Sequence, residues 1–145
     1  MARAFDQSAA PGHLLRRAHQ VSVEFFVQEV GEDGPTPQQF ALLLSVLRNP
    51  GASQAELVKL TGIDRSTLAE MARRLLARGL LARKKDKSDG RANALRITAA
   101  GRRLVEAAVP KVARAQDRVL ALLPPGRRKA LIASLRLMVE AGEGR

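Results

Sequence analysis

Thr61-Gly62-Ile63-Asp64-Arg65-Ser66-Thr67-Leu68 decides the fold. A glycine in a turn of three or four residues, with apolar-periodic segments on both sides, is the mark of a helix-turn-helix. Upstream, Ser53 is placed to cap a short helix that contains Leu57 and Leu60, with Glu56 three residues later completing a capping box. Downstream, Asp64 is placed to cap a fourth helix to about Arg78, with Leu68, Met71, Ala72 and Leu75 facing inward. Gly79 ends that helix where a left-handed residue is expected.

Working outward, the pattern changes after Gly79. Leu80 to Lys84 and Ala94 to Ile97 are short extended segments around a polar loop from Lys85 to Asn93, which predicts a β-hairpin. On the other side, Thr36-Pro37 opens a second helix, with Thr as N-cap and Pro at the first helical position. Its inner face reads Phe40, Leu43, Leu44 and Leu47, and Asn49-Pro50-Gly51 stops it. A first helix begins after Pro11-Gly12 and carries two apolar stripes, Leu14/Ala18/Val21/Phe25 and Leu15/Ser22/Phe26. Thr98 caps a helix whose apolar face runs Leu104, Ala108, Ala115, Val119 and Leu122, with Pro110 inside it as an expected kink. After Leu123-Pro124-Pro125-Gly126 a last helix carries Leu131, Leu135 and Met138. The fold class is therefore mainly α with a small β-hairpin wing, a winged helix-turn-helix flanked by outer helices too apolar to be covered within one chain.

Charge indicates the partner. The 145 residues hold 25 basic and 14 acidic side chains, a formal +11. Between Arg73 and Arg103 eleven basic residues face only Asp86 and Asp89, so +9 of the +11 lies in this window. A polyanion is the natural partner of such a surface. The window contains no aromatic residue on which single-stranded bases could stack, which favours duplex DNA over RNA loops or single strands.

In a helix-turn-helix the second helix enters the major groove N-terminus first. Asp64, Arg65, Ser66, Thr67 and, one turn on, Glu70 are side-chain types that reach base edges. The same expected DNA-binding set takes in Ser53, Gln54, Arg73, Arg74, Lys84 and Lys87. At the wing, Arg91 is assigned to the minor groove, where negative potential is focused, and Asp89 to aiming it.

These segments resemble the MarR family of bacterial regulators, over nearly the whole chain from Pro11 to about Gly142. The resemblance is carried by Asp64 to Leu75, Arg78-Gly79-Leu80-Leu81, Asp86 to Arg91, and Leu95-Arg96-Ile97-Thr98-Ala99-Ala100-Gly101. The family's wing reads Asp, two residues, Asp, then usually Arg-Arg. Here Gly90 replaces the first Arg and Arg91 keeps the second, a loss of one phosphate contact at most.

The resemblance implies a homodimer on a pseudo-palindromic operator, with a dimerisation helix at 11–34, a winged helix-turn-helix at 36–98 and C-terminal dimerisation helices at 99–142. It also implies a repressor released by a small aromatic carboxylate or related effector bound near the first helix. Arg16, Arg17 and His19 are the polar candidates for that pocket, and Phe25 and Phe26 its apolar walls.

Other classes fit less well. Cysteine is absent, His13 and His19 are six residues apart, and neither a phosphate-binding glycine loop nor a Gly-x-Ser-x-Gly elbow occurs. Neither catalysis, a metal site nor a cofactor is expected. No apolar run reaches the roughly 18–20 residues of a membrane span, and the N-terminus lacks a signal-like core, so a cytoplasmic protein without membrane contact is expected. A constitutive or architectural DNA-binding protein with no small-molecule ligand is the alternative reading.

Overall fold

The computed structural model describes residues 3–83 and 94–143. A 3₁₀ turn at Gln7–Ala9 precedes α1 (Pro11–Val30). Then follow α2 (Pro37–Arg48), α3 (Gln54–Thr61), α4 (Arg65–Ala77), β1 (Leu81–Arg83), β2 (Leu95–Ile97), α5 (Ala99–Ala121) and α6 (Pro125–Glu143). Two compact units emerge, one made of 1–29 with 113–145 and the other of 30–112. The 36–98 span falls inside the second. Among the described residues no helix is long and apolar enough to cross a membrane.

In the unit 30–112, local chemistry fixes each boundary. Thr36 Oγ1 accepts from the Gln39 amide at 3.2 Å, and the Gln39 side chain accepts from the Thr36 amide at 3.0 Å. The reciprocal capping box thus forms at α2, and Pro37 fits the first turn because no partner exists there for its missing N–H. Ser53 Oγ accepts from the Glu56 amide at 3.1 Å and opens α3. Gly62 ends α3 at φ +73°, a conformation that strains any residue with a Cβ. Thr61 Oγ1 donates to the Leu57 carbonyl at 2.7 Å and accepts from the Ile63 amide at 3.2 Å, so the turn has its own hydrogen bonds.

The end of α4 is a Schellman motif. The Leu80 amide donates to the Leu75 carbonyl and the Gly79 amide to the Leu76 carbonyl, both at 3.0 Å, around Gly79 at φ +72°. The hairpin pairs antiparallel, Leu81 with Ile97, Ala82 with Arg96 and Arg83 with Leu95. The Leu95 amide also reaches the Ala52 carbonyl at 3.3 Å, tying the hairpin to the loop before α3.

Leu57, Leu68, Ala72, Leu75, Leu81, Leu95 and Val105 close the core of this unit. Each of these leucines, and Val105, contributes roughly 1.5–3 kcal/mol by leaving water. The inner face of α2 differs from expectation. Phe40, Leu42, Leu43 and Val46 are buried, while Leu44 and Leu47 are only half-buried. Apolar residues surround this helix, so spacing alone could not fix its rotation. Met71 is likewise half-buried and borders a surface cleft instead of joining the core. On α5, Val105 and Ala108 are buried and Leu104 half-buried. The helix runs unbroken through Pro110.

In the unit 1–29 with 113–145, Phe26 and Ala115 are buried, whereas Leu14, Leu15, Val21, Leu135 and Met138 are exposed. Leu122, expected on the apolar face of α5, is 61% exposed because the helix ends at Ala121 and the residue falls in the following turn. Arg118 lies 4.2 Å over the Phe25 ring and donates to Gln28 Oε1 at 2.7 Å and Glu29 Oε1 at 3.3 Å. Arg114 donates to Glu29 Oε2, also at 3.3 Å.

Candidate nucleic-acid interface

The interface is built on α3, its turn and α4. Asp64 adopts extended backbone angles, and its Oδ2 accepts from the Thr67 amide at 3.0 Å and the Ser66 hydroxyl at 2.8 Å. Hydrogen bonds from Thr67 first, then Ser66, hold this carboxyl down to about 2. The cap fixes where Arg65, Ser66 and Thr67 stand at the start of α4, all three exposed. Ser53 and Gln54, at the start of α3, are half-buried.

At 100° per residue, Ser66, Thr67, Glu70, Arg73 and Arg74 fall within about a third of the circumference of α4. Leu68, Ala72 and Leu75 occupy the opposite, buried side. The exposed stripe is not five independent side chains. Glu70 Oε1 accepts from Arg73 Nη2 at 2.7 Å and Arg74 Nε at 3.0 Å, and Glu70 Oε2 accepts from Arg73 Nε at 3.0 Å. The Arg73 guanidinium, followed by Arg74, holds the Glu70 carboxyl down to about 2, and Glu70 raises Arg73 in return. Gln39 joins Ser66, Thr67, Glu70, Met71 and Arg74 around a cleft of about 370 Å³ beside this stripe. Gln39 was absent from the expected site. Its signal is the capping box, which fixes Gln39 at the start of α2, but no sequence pattern shows that this end abuts α4.

Lys84, Lys87, Asp89 and Arg91, the expected wing contacts, lie outside the described residues. At the base of the hairpin Arg83 and Arg96 are both exposed.

The five effector candidates all lie on α1. Arg16, Arg17 and His19 are exposed, Phe25 is half-buried beneath Arg118, and Phe26 is buried. Arg16 Nη2 sits 3.2 Å from His13 Nδ1. Nine residues separate Arg16 from Phe25, which puts them half a turn out of phase on opposite sides of α1. His19 and Phe26, seven apart, share a side. The helix therefore does not bring all five to one wall. The second cleft described, about 230 Å³, is lined by other residues, among them Asp33, Pro35, Leu104 and Lys111.

The model of the MarR family matches residues 33–92. Over 139 residues the chain is 32% identical to the HTH-type transcriptional repressor NicR of Pseudomonas putida, spanning 96% of this chain and 88% of that protein. The structure resembles that of Bordetella bronchiseptica BpsR, whose DNA binding is regulated by 6-hydroxynicotinic acid. The TM-score is 0.87 at 35% identity, covering 94% of this chain and 97% of that one. It also resembles the transcriptional repressor CouR bound to a 23-mer DNA duplex, with a TM-score of 0.81, 34% identity and coverage of 94% and 99%.

Proposed function

The chain belongs to the MarR family of transcriptional regulators, and on that footing we propose that it is a repressor that binds a pseudo-palindromic duplex operator as a homodimer and is released by a small aromatic carboxylate. The observation that carries the reading is the exposed stripe of α4, fixed by the Asp64 cap and continued by arginines. Arg65, Ser66 and Thr67 read base edges from the first turn. Ser53, Gln54, Arg73 and Arg74 contact phosphate, as do Lys84 and Lys87, while Asp89 aims Arg91 into the minor groove. A regulator of this kind acts in the cytoplasm, carries out no reaction and needs no cofactor.

The effector class is taken from similarity to BpsR. A carboxylate pairs with arginine through charge-assisted hydrogen bonds, and an aromatic ring suits an apolar wall. Of the candidates on α1, one or two of Arg16, Arg17 and His19 are proposed to take the carboxylate and either Phe25 or Phe26 to face the ring, since all five do not share one wall.

The test is selection of bound fragments from genomic DNA, followed by gel shift against excess random duplex, with and without 6-hydroxynicotinate. Specific complexes survive the competitor and dissociate on adding the acid. Complexes swept away by random duplex would establish the architectural reading instead. Complexes that resist a broad panel of aromatic acids and thioesters would establish a constitutive one.

A further inference from the structure

We propose that Glu70 is a positioning residue that sets the specificity of DNA binding by holding Arg73 and Arg74 away from phosphate until its carboxylate meets a base-edge amine. The inference rests on the reading of α4 as the DNA-reading helix. From its position one turn after Ser66 and Thr67, Glu70 would serve as a base reader alone. The geometry gives it more to do, since both of its oxygens already accept from guanidinium groups.

Electrostatics makes the consequence definite. With Glu70 in place the three side chains present one net positive charge instead of two. A phosphate of random sequence can take the Nε/Nη2 edge of Arg73, or any contact through Arg74 Nε, only by displacing the carboxylate, and the released carboxylate then faces the polyanion alone. At an operator the exchange is balanced. The amino group at the edge of cytosine donates to a carboxylate in the major groove, so Glu70 gains a partner as the arginines turn to phosphate. All three side chains are about half to two-thirds exposed, and ion pairs so open to water are weak enough to exchange during docking. Glu70 also lines the cleft shared with Ser66, Thr67 and Arg74, so reader and clamp occupy one surface.

The experiment compares the full chain with Glu70→Gln and Glu70→Asp, measuring affinity for a random duplex and for the operator recovered with the parent protein, across about 50–300 mM salt. Glu70→Gln is expected to bind random duplex about three- to tenfold more tightly at the low end of that range. Its salt slope should steepen by roughly 1–2 for each lobe, since each newly engaged phosphate adds about 0.9. Preference for the operator should fall about tenfold, and Glu70→Asp, one methylene shorter, should lie between. Adding Arg73→Ala and Arg74→Ala to Glu70→Gln should erase the gain in random binding. Unchanged or weaker random binding by Glu70→Gln, at an unchanged slope, overturns the proposal. A parent that shows no preference among duplexes overturns the proposed function itself, which separates the two failures.

Discussion

The hydroxyl of Thr98 donates to the carbonyl of Gly79 at 2.7 Å, joining the end of α4 to the start of α5 across the whole hairpin. Thr98 Oγ1 also lies 3.0 Å from the Leu80 carbonyl and accepts from the Gly101 amide at 3.0 Å, so one side chain caps one helix and ties down the exit of another. α4 is therefore held at both termini, by Asp64 at its start and by Thr98 beyond its Schellman turn. Thr98→Val keeps the shape and removes the cap, and should cost about 1–2 kcal/mol in urea unfolding. Gly101→Ala discriminates more sharply. In an ordinary helix interior it would stabilise by about 1 kcal/mol. Here a Cβ would fall on the Leu80 carbonyl, with the Ile97 side chain close behind. Overpacking of this kind costs about 1–3 kcal/mol, so the substitution should destabilise on balance. A Gly101→Ala protein more stable than the parent would show that α5 is not pressed against Leu80.

Acid should weaken the fold through the carboxyl that opens α4. Asp64 is held at about 2 in the folded chain against 3.8 ordinarily, so between these values the unfolded chain binds more protons. Stability from this group is fully present above about pH 4 and is lost as pH falls through about 2. Asp64→Asn keeps a good capping side chain but cannot titrate, so its unfolding free energy should fall less steeply between pH 4 and 2. Glu70 titrates in the same window and remains in both proteins, so the difference between the two curves belongs to Asp64. Parallel curves would mean that the cap carries no such linkage.

Much of the fold is legible in the sequence because its boundaries rest on residues with few conformational alternatives. Gly62 and Gly79 both occupy positive φ, and Thr36, Ser53, Asp64 and Thr98 each cap the helix that follows. What escaped the sequence depends on tertiary context. The rotation of α2 is hidden because Ala41-Leu42-Leu43-Leu44 offers apolar groups in every direction. Glu70 reads equally well as a base reader or as the partner of Arg73 and Arg74. Its spacing to them, three and four residues, is the one available hint of the pairing. No period in the sequence brings Gln39 next to α4, since that proximity comes from packing between non-adjacent elements.

Base and phosphate contacts should separate by the kind of loss they produce. Arg65→Ala should reduce discrimination at one or two operator positions by about ten- to a hundredfold, while affinity for random duplex changes little. Arg91→Ala should weaken operator and random duplex by similar factors and flatten the salt slope by roughly 1. Binding titrations of single-position operator variants decide the matter. Identical profiles for the two mutants would remove the division between helix and wing.

Assembly follows from the apolar residues that one chain leaves in water. α6 has no buried residue at all, and Ile132, Leu135, Leu137, Met138 and Val139 are all large, apolar and exposed. So much apolar surface on one helix is what an interface between two copies requires. Sedimentation should find a dimer at micromolar concentration, and Leu135→Glu with Met138→Glu should give a folded monomer that no longer prefers the operator. A parent chain that sediments as a monomer would contradict this.

The effector response is the prediction that reaches furthest from the chain's own geometry. An aromatic acid bound at α1, and not on the DNA-binding residues, can lower operator affinity only by binding better to a conformation that fits DNA poorly. Couplings between sites are typically about 1–3 kcal/mol, so saturating 6-hydroxynicotinate should weaken operator binding by about 5- to 150-fold. By linkage the operator must weaken binding of the acid by the same factor, so titrating the acid into free and DNA-bound protein provides an internal check. Arg16 and Phe25 stand on opposite sides of α1, so the carboxylate partner and the ring wall need not be the pair that their closeness in sequence suggests. Calorimetry on Arg16→Ala, Arg17→Ala and His19→Ala should therefore show a large loss in one or two variants and near-parental binding in the rest. Equal affinity in all three, with the acid still displacing the operator, would move the carboxylate site off the first half of α1 while leaving the repressor reading intact.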